Sequence, residues 1–262
     1  MEYIGYFAAI IIGLSLGLVG GGGSILTIPI LVYLFKIDPE LATSYSLFIV
    51  GITAGLGCIS HYRMGNLKIK SALYFAVPSI FAILIIREVI FPQIAETLFS
   101  IASYKVSKNF LIMIVFSILM ILASISMIRT KTIQIQGVTT NYTQLAIIGF
   151  FIGIITGFLG AGGGFLIIPA LLFFAKLPMK QAVGTSLLII FINSSIGFAG
   201  DLYINTPIDY PFLLIISSIA FIGMLIGTQL SKRIDGTQLK PIFGWFILIM
   251  GIYIITKEIF LK

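Results

Sequence analysis

Gly17-Leu-Val-Gly20-Gly-Gly22-Gly23-Ser-Ile-Leu26-Thr-Ile28-Pro29 returns 140 residues later as Gly157-Phe-Leu-Gly160-Ala-Gly162-Gly163-Gly-Phe-Leu166-Ile-Ile168-Pro169. Glycine is the poorest ordinary residue for continuing a helix, so four of them within one apolar stretch mark a break. Both clusters lie in sequence hydrophobic enough for a bilayer interior. Non-helical backbone survives at that depth only where protein or a water-filled cavity covers it. Two breaks at matching places in two halves of a chain are the sequence pointer to a transporter's binding site.

Working outward, the 262 residues are 59% hydrophobic and 10% charged. A soluble domain carries about 25% charged residues, so the chain reads as an integral membrane protein. Uncharged stretches run Tyr3–Phe35, Leu41–Tyr62, Ser71–Ile86, Phe110–Ile128, Thr132–Ala175, Gln181–Gly200, Tyr210–Leu230 and Pro241–Thr256. Most reach the roughly 20 residues that cross a hydrocarbon core. The net charge of +7 comes from basic residues scattered singly at helix ends, which orient helices rather than bind nucleic acid. A single cysteine, Cys58, excludes a disulfide framework or a cysteine metal cluster. Met1-Glu2-Tyr3 lacks the basic region of a cleavable signal peptide, so the first hydrophobic segment is expected to stay in the mature protein.

The duplication extends past the glycines. Without a gap, residues 17–64 align on 157–204, matching Lys36 with Lys176, Ala42 with Ala182, Ser46-Leu47 with Ser186-Leu187 and Gly57 with Gly197. The expected fold is an all-α polytopic membrane protein with two repeats. Each is a glycine-broken segment, re-entrant or a pair of short helices, followed by three spans. The repeats cover residues 1–128 and 143–262, joined by a cytoplasmic linker over 129–142. Spans are expected near 41–62, 69–91, 110–128, 181–200, 210–230 and 241–260, with an interfacial helix over 93–108. Residues 3–35 as one helix would measure about 50 Å, too long for one crossing. A hairpin crosses an even number of times, so three odd crossings invert the second repeat relative to the first. One set of loops holds ten basic residues (Arg63, Lys68, Lys70, Arg129, Lys131, Lys176, Lys180, Lys232, Arg233, Lys240) against one acid, Asp235. That set is assigned to the cytoplasm, with both termini outside.

Helix N-termini carry unpaired N–H groups and partial positive charge, and glycine lets a ligand approach them. Gly20, Gly22, Gly23 and Ser24, with Gly160, Gly162, Gly163 and Gly164, would surround a small anion with backbone donors. Against this stands the reading in which the same glycines only allow close helix packing. Thr43, Ser44 and Ser46 face Thr185 and Ser186 across the repeat. Their hydroxyls could hold anion oxygens or a coupling cation, or bond back to carbonyls one turn earlier. Asn193 is costly to leave unpaired in lipid and joins this second group of candidates. His61 reads as a helix-end interfacial residue, and Arg87-Glu88 as a local ion pair. No acid falls at mid-membrane, which leaves H+, Na+ or uncoupled passage open. No cofactor is expected, and homo-oligomerisation is left open. One histidine, with no His-x-x-x-His or aspartate pair in the spans, argues against a membrane enzyme. A non-transporting assembly subunit and a passive anion channel are the alternatives kept.

These glycine–proline frames, with Ala42-Thr43-Ser44-x-Ser46-Leu47, His61-Tyr62-Arg63-x-Gly65-Asn66 and Ala182-Val183-Gly184-Thr185-Ser186-Leu187, resemble the TauE/SafE sulfite exporter family. The likeness covers essentially the whole chain and is most specific over 17–66 and 157–200. It implies a plasma-membrane permease for sulfite, sulfonates or related sulfur-containing and organic anions. Relatives that carry thiosulfate lean on cysteines, and this chain has only Cys58.

Overall fold

The computed structural model describes residues 2–101, 104–129, 141–160, 162–203, 206, 208–231 and 236–260. Helix α1 (Glu2–Val19) gives way to a 3₁₀ turn, Gly20–Leu26, which leads into α2 (Thr27–Tyr33). Then come α3 (Pro39–Arg63) and α4 (Ile69–Leu84), the latter running through a π segment, Ile85–Ile90, into α5 (Phe91–Gln93). Strands β1 (Thr97–Ile101) and β2 (Tyr104–Ser107) precede α6 (Lys108–Arg129). The rest is α7 (Tyr142–Leu159), α8 (Gly164–Phe173), α9 (Met179–Tyr203), α10 (Tyr210–Ser231) and α11 (Gly236–Phe260).

Among the described residues, six stretches are long and apolar enough to cross a membrane: Pro39–Arg63, Ile69–Gln93, Lys108–Ile125, Tyr142–Leu159, Met179–Tyr203 and Tyr210–Ser231. Each of the 25-residue stretches measures about 37 Å at 1.5 Å per residue. Apart from one short strand pair, the described chain is helical, and these stretches make it polytopic, as the hydrophobic pattern predicts. Five expected spans fall on these stretches, and the sixth, 241–260, falls within α11. Most of the 129–142 linker lies outside the described residues.

Side chains start the helices where the sequence supplies caps. The Glu40 N–H donates to Asp38 Oδ1 at 2.9 Å, with Pro39 in the first turn of α3. The Gln144 N–H donates to Asn141 Oδ1 at 3.2 Å, and the Phe212 N–H to Asp209 Oδ1 at 3.1 Å.

The first glycine-broken segment is a hairpin. The Tyr6 and Phe35 ring centroids lie 5.7 Å apart, so α2 returns the chain to the end where α1 began. Gly23 backs onto Ser15 and Leu16 of α1, and Gly163 likewise onto the Thr156 side chain of α7. Both returns close in the same way. Lys36 (φ 60°) and Lys176 (φ 53°) take left-handed backbone conformations. Beyond them, the Ile37 N–H donates to the Leu31 carbonyl at 3.1 Å and the Leu177 N–H to the Leu171 carbonyl at 3.2 Å.

Glycine spacing then sets which helices touch. Gly13 and Gly17 of α1 lie on Ala220 and Met224 of α10, while Gly223 and Gly227 receive Ile10 and Leu14. The contacts advance together along both helices, so α1 and α10 are parallel. Gly149, Gly153 and Gly157 of α7 sit in the same fashion on Phe75, Ser79 and Ile83 of α4. Small residues four apart let backbones approach, which drives association where no hydrophobic effect can. In contrast, α3 and α9 are antiparallel. Gly51 meets Ser194, Gly55 meets Phe191 and Gly57 meets Leu187.

The 93–108 connection differs from expectation. It carries an antiparallel strand pair with Phe99 opposite Val106 and Ile101 opposite Tyr104, in place of an interfacial helix. Thr97-Leu-Phe-Ser-Ile101 and Tyr104-Lys-Val-Ser107 are rich in β-branched and aromatic residues, which favour pleated backbone over helix.

Candidate functional site

The two glycine breaks approach one another inside the bundle, between α3 and α9. At Gly20 (φ 69°) and Gly160 (φ 65°) the backbone is left-handed, a conformation that ends α1 and α7 and that glycine adopts without penalty. Gly20 lies against Val183 and Ser186 of α9, and Gly160 against Thr43 of α3. Thr43 and Val183 are counterparts in the 140-residue repeat, so each break is seated on the same turn of the other half's helix. Gly21 touches Gly164 directly: a β-carbon on Gly21 would sit 2.5 Å from the Gly164 α-carbon. Gly162 faces Ser194, Ile190 and Val50, its β-position 2.9 Å from Ser194 Oγ. Gly22 belongs to the 3₁₀ turn, and Gly163 is the N-cap of α8, which begins at Gly164. The two halves are not identical here, because a 3₁₀ turn replaces an α-helical start in the first.

The hydroxyl candidates divide by what they bond. Ser24 Oγ donates to the Gly21 carbonyl at 2.8 Å. Ser186 Oγ donates to the Val183 carbonyl at 2.8 Å and accepts from the Gly21 N–H at 3.4 Å, joining α9 to the first break. Thr185 Oγ1 accepts from the Lys68 N–H at 3.1 Å, tying α9 to the start of α4. Thr43 Oγ1 donates to the Glu40 carbonyl at 2.7 Å. Ser44 is buried. Asn193 Nδ2 donates to Ser79 Oγ at 2.8 Å, while its Oδ1 has no partner among the described residues. Ser46 Oγ and Ser194 Oγ are likewise buried without a partner among the described residues. In an apolar interior such orphaned polar atoms are expensive. Ser194 lies beside Gly162 of the second break, while Thr27 Oγ1 of α2 and Ser217 Oγ of α10 are orphaned elsewhere among the described residues.

One reading of a charged residue needs correction. Arg87 pairs with Asp201 of α9, not with its neighbour Glu88. Adjacent residues on a helix point about 100° apart, so Arg87 turns inward while Glu88 lies near Gly200. Arg87 Nε also donates to the Gly157 carbonyl at 3.1 Å, and Nη2 to Thr43 Oγ1 at 2.9 Å. His61 stands in the last turn of α3, at the helix end, with its side chain buried against Gly184. Sequence reasoning missed Asp201, Ser79 and Ser194. Asp201 stands near the end of α9, where the sequence alone gives no sign that an acid turns inward.

Among the described residues no group of three histidine, cysteine or acidic side chains could hold a metal ion. A separate cleft of about 610 Å³ opens at the end of the bundle where α3 and α10 start, lined in part by Tyr6, Lys36, Asp38, Tyr45 and Asp209. There the Asp209 N–H donates to Tyr45 Oη at 2.8 Å.

Known proteins bear on this arrangement. The family model described as sulfite exporter TauE/SafE matches residues 6–254. A probable membrane transporter protein of Xylella fastidiosa (strain Temecula1) is 28% identical over 259 residues, covering 95% of this chain and 92% of the relative. The probable membrane transporter protein YunE of Bacillus subtilis is 26% identical over 281 residues, covering 96% and 97%. A probable membrane transporter protein of Methanocaldococcus jannaschii is 25% identical over 268 residues, covering 94% of each. The family and these relatives are described as transporters, not enzymes. With residues 6–254 spanned by the one model, the chain belongs to the TauE/SafE family of membrane transporters.

Proposed function

We propose that the chain is a plasma-membrane permease for small anions, namely sulfite, sulfonates or related sulfur oxyanions. It moves them by alternating access between two inverted repeats. The observation that carries this reading is the packing under exchange of the halves. Helix α1 lies parallel on α10 as α7 lies parallel on α4, and α3 crosses α9 antiparallel. Counterpart helices thus run in opposite directions through the bundle, and each glycine break seats on the other repeat. The basic loops agree. Arg63, Lys68, Lys70, Arg129 and Lys180 collect at one end, the proposed cytoplasmic face, while Lys36, Lys108 and Lys257 lie at the other.

The substrate would bind between Gly20–Ser24 and Gly160–Gly164, flanked by Thr43, Ser44, Ser46, Thr185, Ser186 and Asn193. The orphaned Ser46 and Ser194 hydroxyls support this placement, because a hydroxyl can donate to an oxyanion. The close Gly21–Gly164 contact favours a second reading, in which part of the cluster serves packing and the solute passes beside it. Uptake of radiolabelled sulfite into proteoliposomes tests the function. Saturable uptake by the purified protein alone is expected, and its absence with sulfite, sulfate and simple sulfonates sinks the proposal.

A further inference from the structure

We propose that Arg87 is the residue that recognises the transported oxyanion, and that the Asp201 carboxylate is its internal stand-in, displaced when solute oxygens take the same edge of the guanidinium. This rests on the anion-permease reading and adds a residue to it.

Arg87 is 3% exposed and stands in the π segment of the Ile69–Gln93 stretch. Single-turn π segments interrupt regular hydrogen bonding and occur often at functional sites. An ionised side chain inside a spanning segment is costly and marks function by default. Among the described residues the other buried lysine or arginine is Lys108, which begins α6 and bonds Glu40 at 2.7 Å. Arg87 is therefore the fixed positive charge available to an anion within the described spans.

Its three nitrogens point to three different helices. Nε holds the Gly157 carbonyl of α7, one turn before the break, and Nη2 holds Thr43 of α3, on which Gly160 is seated. These two contacts fix the guanidinium plane beside the second break. Nη1 faces the carboxylate of Asp201. A carboxylate and a sulfite or sulfonate group offer a guanidinium fork the same paired oxygens, so one can replace the other.

A structural brace is the competing account, and the repeat argues against it. Gly153 on Ser79 corresponds to Gly13 on Ala220, and Gly157 on Ile83 to Gly17 on Met224. Carried along these contacts, the place of Arg87 is taken by Thr228, and that of Asp201 by His61. The Arg–Asp pairing itself is thus confined to one end, where the other end carries a threonine and a histidine. Buried ion pairs are also poor stabilisers, since desolvation offsets their attraction.

The test is thermal unfolding of the purified full-length protein in lipid nanodiscs. Sodium sulfite, sodium sulfate and sodium methanesulfonate are titrated against sodium chloride at matched ionic strength. Asp201→Asn should unfold earlier than wild type in chloride, then be stabilised by at least one oxyanion at a several-fold lower concentration than wild type. Arg87→Gln should lose the oxyanion-specific shift, and Arg87→Lys should weaken it. The neutral double variant Arg87→Gln/Asp201→Asn removes charge imbalance as a reason for misfolding and should also show no shift. A wild-type response in Arg87→Gln or in the double variant overturns the proposal. So does an unchanged half-saturation in Asp201→Asn, or no oxyanion-specific shift in either wild type or Asp201→Asn. Sulfite uptake by the wild type separates the two levels. Uptake with an Arg87-independent shift defeats the Arg87 assignment alone, whereas no saturable uptake of any of these anions defeats the permease reading.

Discussion

The backbones of Gly21 and Gly164 meet across the two halves of the chain, with room for no side chain on either. A β-carbon on Gly21 would sit 2.5 Å from the Gly164 α-carbon and 2.7 Å from its carbonyl oxygen. Backbone on both sides cannot swing aside as a side chain would. Gly21→Ala and Gly164→Ala should therefore each cost about 1–3 kcal/mol, the usual range for overpacking. Thermal unfolding of the purified variants measures this, and an unchanged midpoint in both would mean the two breaks are not in contact in the membrane.

Gly162 predicts a different outcome. Its backbone is left-handed (φ 64°), so any side chain there is strained, and its β-position is 2.9 Å from Ser194 Oγ and 3.2 Å from atoms of Ile190 and Val50. Gly162→Ala should cost about 1–3 kcal/mol for the left-handed backbone and reduce sulfite uptake by more than the fall in membrane-inserted protein accounts for. Comparable losses of protein and of uptake would favour the packing role for this glycine.

Much of this architecture is legible in the chain because two of its signals are local. Apolar length marks the spans, and the repeated Gly–Pro frame marks the breaks, since each rests on consecutive residues. The break at Gly20 is legible from length, because residues 3–35 are too long for one crossing, whereas the choice between a re-entrant segment and a pair of short helices is not. What stays hidden is long-range side-chain choice. Nothing near Arg87 indicates that it bonds Asp201, 114 residues away, in preference to the adjacent Glu88. Asp201 looks like a loop acid because it ends a span, and Ser194 looks like any helical serine until Gly162 is placed beside it. The 93–108 connection was misread for another reason. Its hydrophobic content fits an interfacial helix, and β propensity over so few residues is a weak signal against that.

Thr43 joins three parts of the site through one hydroxyl. It donates to the Glu40 carbonyl at 2.7 Å, accepts from Arg87 Nη2 at 2.9 Å, and seats Gly160. Thr43→Val keeps the shape but leaves a buried guanidinium N–H without an acceptor, a loss of about 1–3 kcal/mol. Thr43→Ser retains the hydroxyl and should unfold close to wild type. Destabilisation by Thr43→Ser but not by Thr43→Val would show that the methyl group, not the hydrogen bond, matters.

Asn193 and Ser79 link α9 to α4 by a single bond of 2.8 Å. Hydrogen bonds between helices in membranes average about 0.6 kcal/mol in double-mutant cycles. An Asn193→Ala, Ser79→Ala cycle on unfolding free energy should return a coupling near that figure. If Asn193 Oδ1 also meets solute or a coupling ion, Asn193→Ala should reduce sulfite uptake well beyond what Ser79→Ala does. Equal transport in the two single variants would confine Asn193 to helix packing.

Membrane orientation can be tested at residues that the fold leaves open at opposite ends of the bundle. Tyr203, at the end of α9, is 83% exposed, and Tyr62, near the end of α3, is 64% exposed. Helices α3 and α9 are antiparallel, so these two tyrosines leave the bundle at opposite faces. The basic-residue asymmetry assigns the Tyr62 face, with Arg63, Lys68 and Lys70, to the cytoplasm. In a Cys58→Ser background, Tyr203→Cys should react with a membrane-impermeant maleimide on intact cells. Tyr62→Cys should react only after permeabilisation. The reverse pattern would turn the protein over relative to the proposed orientation, placing the Arg87–Asp201 pair in the inner half of the membrane instead of the outer half. Labelling of both positions on intact cells would contradict the antiparallel crossing at Gly51 and Ser194 on which the inverted arrangement depends.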